Sequence, residues 1–238
     1  MKGEVRDEGC GLKTLVCFAL KVEAAPFRKI AAGKPGISVL ITGIGRRNAE
    51  ISVRDFLAAS STELVLTCGF AGGLNSDLKL GDVVFEVANA PLAPSLSPPG
   101  GERVSARTGE GLSSKLLAAG AKPAKFICAD RIATTIAEKK KLRGETGADA
   151  VEMESAAIHA VCREHGISCA TVRVISDTAN EDLPLDFNVL ARPDHSLDYR
   201  KLFLTIAKSP GKIGALMRLQ KKTKFAAERL AAVLARIL

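Results

Sequence analysis

A chain of 238 residues, 47% hydrophobic and 25% charged, can bury one large core or two small ones, and its pattern favours a single α/β unit. No apolar run reaches bilayer-spanning length, and no hydrophobic segment of signal-peptide type precedes the first expected strand, so a cytoplasmic protein is expected. The net charge of +8 is uneven, since seven bases and one acid (Glu228) from Ser209 onward carry +6 of it; the near-neutral body, with no Trp and one Tyr, is poorly equipped to bind nucleic acid.

Along the chain, Leu15–Leu20 reads as a first buried strand, with Glu23 just after it and a helix from about Ala24 to Ala32. Lys34-Pro35-Gly36 is a turn, Ile37–Thr42 a second strand, and Gly43-Ile44-Gly45 a tight turn ahead of a helix over Asn48–Ser60. The turn is not a full dinucleotide fingerprint, because Asn48 stands where its third glycine belongs. Glu63–Cys68 is a third strand. It runs into the glycine-rich stretch Gly69–Leu74, read as a loop whose N–H groups face an anion or sugar, or simply as a turn. Asp82–Val87 is a fourth strand, Pro91–Arg107 a loop, Gly111–Gly120 a helix and Phe126–Ala129 a fifth strand. Thr134 or Thr135 then caps a helix reaching about Arg143.

The next stretch carries the chemistry. Asp149–Met153 reads as a strand running into the paired acids Glu152 and Glu154. A helix follows to His165, closed by Gly166, and Ile167–Ile175 is a nearly all-apolar strand ending at Asp177. Read as parallel neighbours, the two strands deliver their acids to the crevice where open α/β sheets bind ligands; the plainer reading is caps and solvated turns. Asp182–Ser196 is irregular and is a candidate lid, and Leu197–Lys208 is helical. Ser209-Pro210 opens a final helix with Leu216, Leu219, Ala226, Leu230, Val233 and Ile237 on one face. That helix packs on the body or a subunit partner, or docks on an anionic membrane surface. The six cysteines and three histidines show no metal-ligand spacing, and the cysteines read as reduced core residues, so no metal is expected.

TCGFAGGLNSDLKLGDVV, AVEMES and RVISD, in that order, resemble the nucleoside phosphorylase and nucleosidase superfamily, above all the methylthioadenosine/S-adenosylhomocysteine nucleosidases. The resemblance runs from about Leu15 to Asn180. It implies a three-layer phosphorylase/hydrolase-like α/β fold: a central twisted mixed sheet with helices on both faces, over a catalytic domain of residues 1–208 followed by the helix of 209–238. It also implies cleavage of the N-glycosidic bond of a purine nucleoside. Asp177 matches the general acid at purine N7, Glu23 the acid that activates water, and Arg173 an arginine on the nucleophile side. Glu154 matches the ligand of the ribose hydroxyls and Met153 the methionine on the sugar face. Ser176 would orient Asp177, Phe70, Ala71 and Gly72 would line the site, and the main chain of Ile132 and Ala133 would meet the purine edge.

The sequence departs from the family pattern in places. Phe70 replaces a small hydroxyl residue, Thr67 a phosphate-binding arginine and Ile132 the aromatic that stacks on adenine; Arg28, Arg46 and Arg47 are the arginines left to hold phosphate. DRIATTIAEKKKLR and the basic tail resemble the hopanoid-associated phosphorylase branch, which implies an adenosylated hopane as substrate. The combined reading is a purine nucleosidase without cofactor, acting on an adenosine derivative with a modified 5′ group. Phosphorolysis, with inorganic phosphate as co-substrate, and a non-catalytic nucleoside-binding protein stand as alternatives. The partners expected are a small nucleoside, further copies of the chain in a homo-oligomer and, through the tail, a membrane surface.

Overall fold

The computed structural model describes residues 13–88, 111–190, 211 and 213–238. The expected loop Pro91–Arg107, the helix Leu197–Lys208, Asp194, His195, Cys10 and the Ser209-Pro210 cap lie outside the described residues. Alternation along the first strand sets the layers. In β1 (Thr14–Phe18), Val16 and Phe18 enter one apolar cluster while Leu15 and Cys17 enter another, because successive strand side chains point to opposite faces. On the Val16 side pack α1 (Lys21–Ala31) and the C-terminal half of the last helix; on the Leu15 side pack α2 (Arg46–Ala59) and α5 (Ser155–Glu164). The helix–sheet–helix sandwich with a mixed sheet is therefore the observed fold.

Eight strands form the sheet among the described residues. β2 (Ile37–Ile41), β1, β3 (Leu64–Gly73) and β8 (Ser168–Asp177) run parallel; β4 (Val83–Ala88) lies antiparallel to β8 and carries the two-residue β5 (Lys122–Pro123) on its edge. β6 (Phe126–Cys128) pairs parallel with β7 (Ala150–Glu152). Between the strands lie a helix, α3, over 111–118, and α4 (Ile136–Thr146); the one-turn α6 (Phe187–Leu190) follows β8, and α7 (Ile213–Ile237) closes the described chain.

Two expectations fail here for one reason. The Gly69–Leu74 stretch is not a loop, because β3 continues through it to Gly73, paired on one side with β8 and on the other with β7. β7 and β8 are not parallel neighbours either. β7 meets the far end of β3 antiparallel, with Gly72 opposite Val151 and Gly73 opposite Ala150. Local patterning does not show that a glycine-rich run has strands on both sides to satisfy its backbone.

Elsewhere the local signals held. Thr135 caps α4, accepting from the Glu138 N–H at 3.2 Å, while the Glu138 carboxylate returns to Thr135 N–H, and left-handed Gly147 ends the helix. Along α7, Ala226, Leu230, Ala231 and Leu234 are buried in the same core as α1. Its first half instead exposes Ile213, Met217 and Phe225 beside Arg218, Lys221 and Lys224. No helix among the described residues is long and apolar enough to cross a membrane.

Candidate active site

The site is built around β3, where missing side chains make room for charged ones. Gly69 has φ +146°, and a Cβ there would stand 2.7 Å from Arg173 Nη1 and 2.9 Å from Glu23 Oε1. Three residues on, a Cβ at Gly72 would stand 3.3 Å from Asp177 Oδ2 and 3.2 Å from Val151 Cγ1. These glycines serve close approach rather than flexibility. Glu23 and Asp177 thus mark two clusters about 10 Å apart along the strand. Gly69→Ala is expected to push Arg173 and Glu23 apart, costing about 1–3 kcal/mol in stability and, through misplacement of about 1 Å, about a hundredfold in turnover. Denaturant titration and turnover measured on the same variant would check it; wild-type values for both would refute the close-approach argument.

Glu23 lies in the first turn of α1, not ahead of the helix as its sequence position implied. Its Oε2 accepts from Leu20 N–H at 2.8 Å and its Oε1 from Phe70 N–H at 2.9 Å. Burial pushes its carboxyl from 4.5 up to about 7, against the Phe70 N–H and the Arg173 guanidinium, which pull it down.

Arg173, on β8, is fully buried. Its Nη2 reaches Glu152 at 2.5 Å, Glu154 at 3.2 Å and Thr67 Oγ1 at 3.1 Å, and its Nη1 reaches the Cys68 carbonyl at 3.3 Å. The two acids in front of it behave differently. Burial raises Glu152, but Arg173 together with hydrogen bonds from Ser155 Oγ, Ser155 N–H and Glu154 N–H outweighs it and holds that carboxyl below its usual value. For Glu154, burial wins over Arg173, and neighbouring Glu152 adds to the rise. Glu154 also accepts from Gly45 N–H at 2.9 Å, so the tight turn before α2 holds a carboxylate of this chain. Met153 is half-buried between them.

Asp177 sits one residue past an irregularity in the β3–β8 ladder, where Ala71 opposes Ile175 but Gly72 opposes Asp177. The extra residue is Ser176; a bulge of this kind re-aims the side chain that follows. Ser176 Oγ donates to Asp177 Oδ1 at 2.8 Å and is 3.4 Å from the Ala71 carbonyl. On the other oxygen, Lys139 Nζ stands 2.6 Å away, wholly buried, and also donates to the carbonyls of Thr178 at 2.8 Å and Glu181 at 3.0 Å. Sequence reasoning missed Lys139, which lies in a run of three lysines that reads as a solvated face. It also missed Glu152 as the first partner of Arg173, although that acid was visible beside Glu154.

The other nominated residues fall less centrally. The Phe70 side chain packs against the main core, and only its N–H meets Glu23. Ile132 and the buried Ala133 lie just before α4. Arg46 is not a spare cation, because its guanidinium is 2.6 Å from the Cys128 carbonyl and 3.3 Å from Asp130. Arg28 is exposed in the last turn of α1, and Arg47 is exposed in the first turn of α2.

Known proteins share this architecture. Futalosine hydrolase of Helicobacter pylori superposes with a TM-score of 0.64 at 20% identity, covering 95% of this chain and 97% of that one. The 5′-methylthioadenosine/S-adenosylhomocysteine nucleosidase of Campylobacter jejuni does so with a TM-score of 0.64 at 19% identity, covering 95% and 98%. By sequence, the 5′-methylthioadenosine/S-adenosylhomocysteine nucleosidase of Shewanella halifaxensis is 28% identical over 184 residues, 67% of this chain and 76% of that protein. The aminodeoxyfutalosine nucleosidase of Campylobacter jejuni is 28% identical over 164 residues, 61% and 69% respectively. Residues 21–196 match the family model of the phosphorylase superfamily, and the chain belongs to that superfamily.

Proposed function

We propose that this chain hydrolyses the N-glycosidic bond of a purine nucleoside, an adenosine derivative with a modified 5′ group, using water as nucleophile. The observation that carries the reading is the charge of the site: four buried carboxylates, Glu23, Glu152, Glu154 and Asp177, against two buried cations, Arg173 and Lys139. An acid-rich cluster favours the oxocarbenium-like sugar of glycoside cleavage and disfavours a phosphate anion as attacker. The relatives' names point the same way, since those quoted are nucleosidases and a hydrolase.

Glu23 takes a proton from the attacking water. Its Leu20 and Phe70 N–H bonds fix the carboxylate, and a value about 7 suits a base working near neutrality. As the bond between the sugar and N9 breaks, its electron pair passes to the base, and Asp177 gives N7 a proton, turning a poor leaving group into a good one. Lys139 and Ser176 position Asp177, and Glu154 holds the ribose hydroxyls with Met153 under the sugar. Ile132 presents its peptide to the purine edge. A lipid-linked 5′ group such as an adenosylated hopane is the form that the basic α7 helix suits.

The test is base release from a panel of purine nucleosides, including 5′-methylthioadenosine and a long-chain 5′-alkyl adenosine, with and without phosphate, followed by chromatography of base and sugar. Free base and free sugar without phosphate are expected. Release only with phosphate, yielding a sugar 1-phosphate, would replace water as the nucleophile; tight binding without release would replace catalysis by binding.

A further inference from the structure

We propose that Asn188 is an internal plug of the base-reading edge: its carboxamide occupies the Ile132 peptide as a 6-aminopurine would, and the base must displace it to bind. The proposal rests on the functional reading above. Ile132 N–H donates to Asn188 Oδ1 at 2.9 Å, and Asn188 Nδ2 donates to the Ile132 carbonyl at 2.9 Å. One side-chain amide thus satisfies both polar groups of one residue, with an acceptor and a donor side by side. A 6-aminopurine offers the same pair, N1 as acceptor and the 6-amino group as donor. A 6-oxopurine in that orientation reverses it, setting N–H against N–H and oxygen against oxygen.

The plug is held in place. Asp186 Oδ1 accepts from both Asn188 N–H and Asn188 Nδ2 at 2.9 Å, so both amide hydrogens are engaged. It also shares a strap with the proton donor. From Asp177 the chain doubles back along 132–139, tied by Lys139 to the Thr178 and Glu181 carbonyls, by Ile136 N–H to Asp182 at 2.6 Å, and by Leu183 N–H to the Thr134 carbonyl at 2.8 Å. Asn188 lies at the far end of that strap, in α6. Base binding therefore exchanges one pair of hydrogen bonds for an equivalent pair. Displacing the two amide contacts lowers apparent base affinity roughly tenfold.

The experiment is calorimetric titration of free adenine and free hypoxanthine into wild type, Asn188→Ala and Asp186→Ala. Adenine is expected to bind about tenfold tighter to Asn188→Ala, and tighter by a smaller factor to Asp186→Ala, which keeps the carboxamide and removes its holder. KM for an adenine nucleoside should fall in parallel. Adenine binding that is equal to wild type or weaker in both variants would overturn the plug and leave the nucleosidase reading standing. The freed Ile132 peptide should bind adenine more tightly than hypoxanthine in Asn188→Ala; equal affinity of that variant for the two bases would overturn the mimicry. If no form binds any purine, the reading of the base site fails and the plug fails with it.

Discussion

Glu23→Gln is expected to lower kcat by about 10²–10⁴-fold, the range for removal of a general base, while shifting stability in a pH-dependent direction. In wild type the folded carboxyl lies about 7 against an ordinary 4.5. Between those values the native state holds a proton that the unfolded chain has released. Stability is therefore fully present below 4.5 and is lost as pH rises through about 7. A shift of that size corresponds to about 3 kcal/mol. The glutamine variant does not titrate there. It does suffer a constant penalty, because its amide accepts from only one of the Leu20 and Phe70 N–H groups. The diagnostic is therefore a trend: Tm of the variant minus Tm of wild type should grow more positive from pH 4.5 to pH 7 and level off above. In wild type, kcat/KM should rise with pH through about 7. A flat Tm difference would deny Glu23 its buried titration; a fully active variant would remove it as the base.

Arg173→Met should give the largest loss of stability. The guanidinium is fully buried and neutralises Glu152 and Glu154 together. Burial works against its charge, but Glu152, Glu154 and Glu23 outweigh that and raise its affinity for the proton. Methionine fills much of the volume and none of the charge, leaving two carboxylates facing each other in the interior. Breaking a buried pair in this way costs about 3–5 kcal/mol. The penalty has a sign in pH as well. Without Arg173 both acids prefer to be protonated, so the loss should be greatest near neutrality and shrink on acidification. Denaturant midpoints of wild type and variant across pH 5–8 would measure it. A loss that is equal across that range, or that grows toward acid, would show that Arg173 is not the counter-ion of these carboxylates.

These two residues show how the site became legible and where legibility stopped. Glu23, Glu154 and Asp177 stand at the end of a strand or the start of a helix, whereas Arg173 lies inside β8 and was nominated only through the family resemblance. Such ends can be located from a hydrophobic run and the polar residue that closes it. The glycines were visible too, but their reason was not. Gly69 and Gly72 read as loop formers, whereas the structure uses them as vacant positions on a strand against which Glu23, Arg173 and Asp177 close.

What the sequence determined by itself was local. The alternation of β1, the Thr135–Glu138 box, the Gly147 stop and the apolar face of α7 depend on neighbours a few residues apart. The tertiary structure alone decided which of three consecutive lysines is buried. Lys140 is exposed, while Lys139 meets Asp177 and two carbonyls about forty residues further along the chain. The same holds for β7 against β3, and for Asn188 on the Ile132 peptide 56 residues away. Periodicity describes one element at a time. Burial of a charge depends on whether distant groups converge to satisfy it.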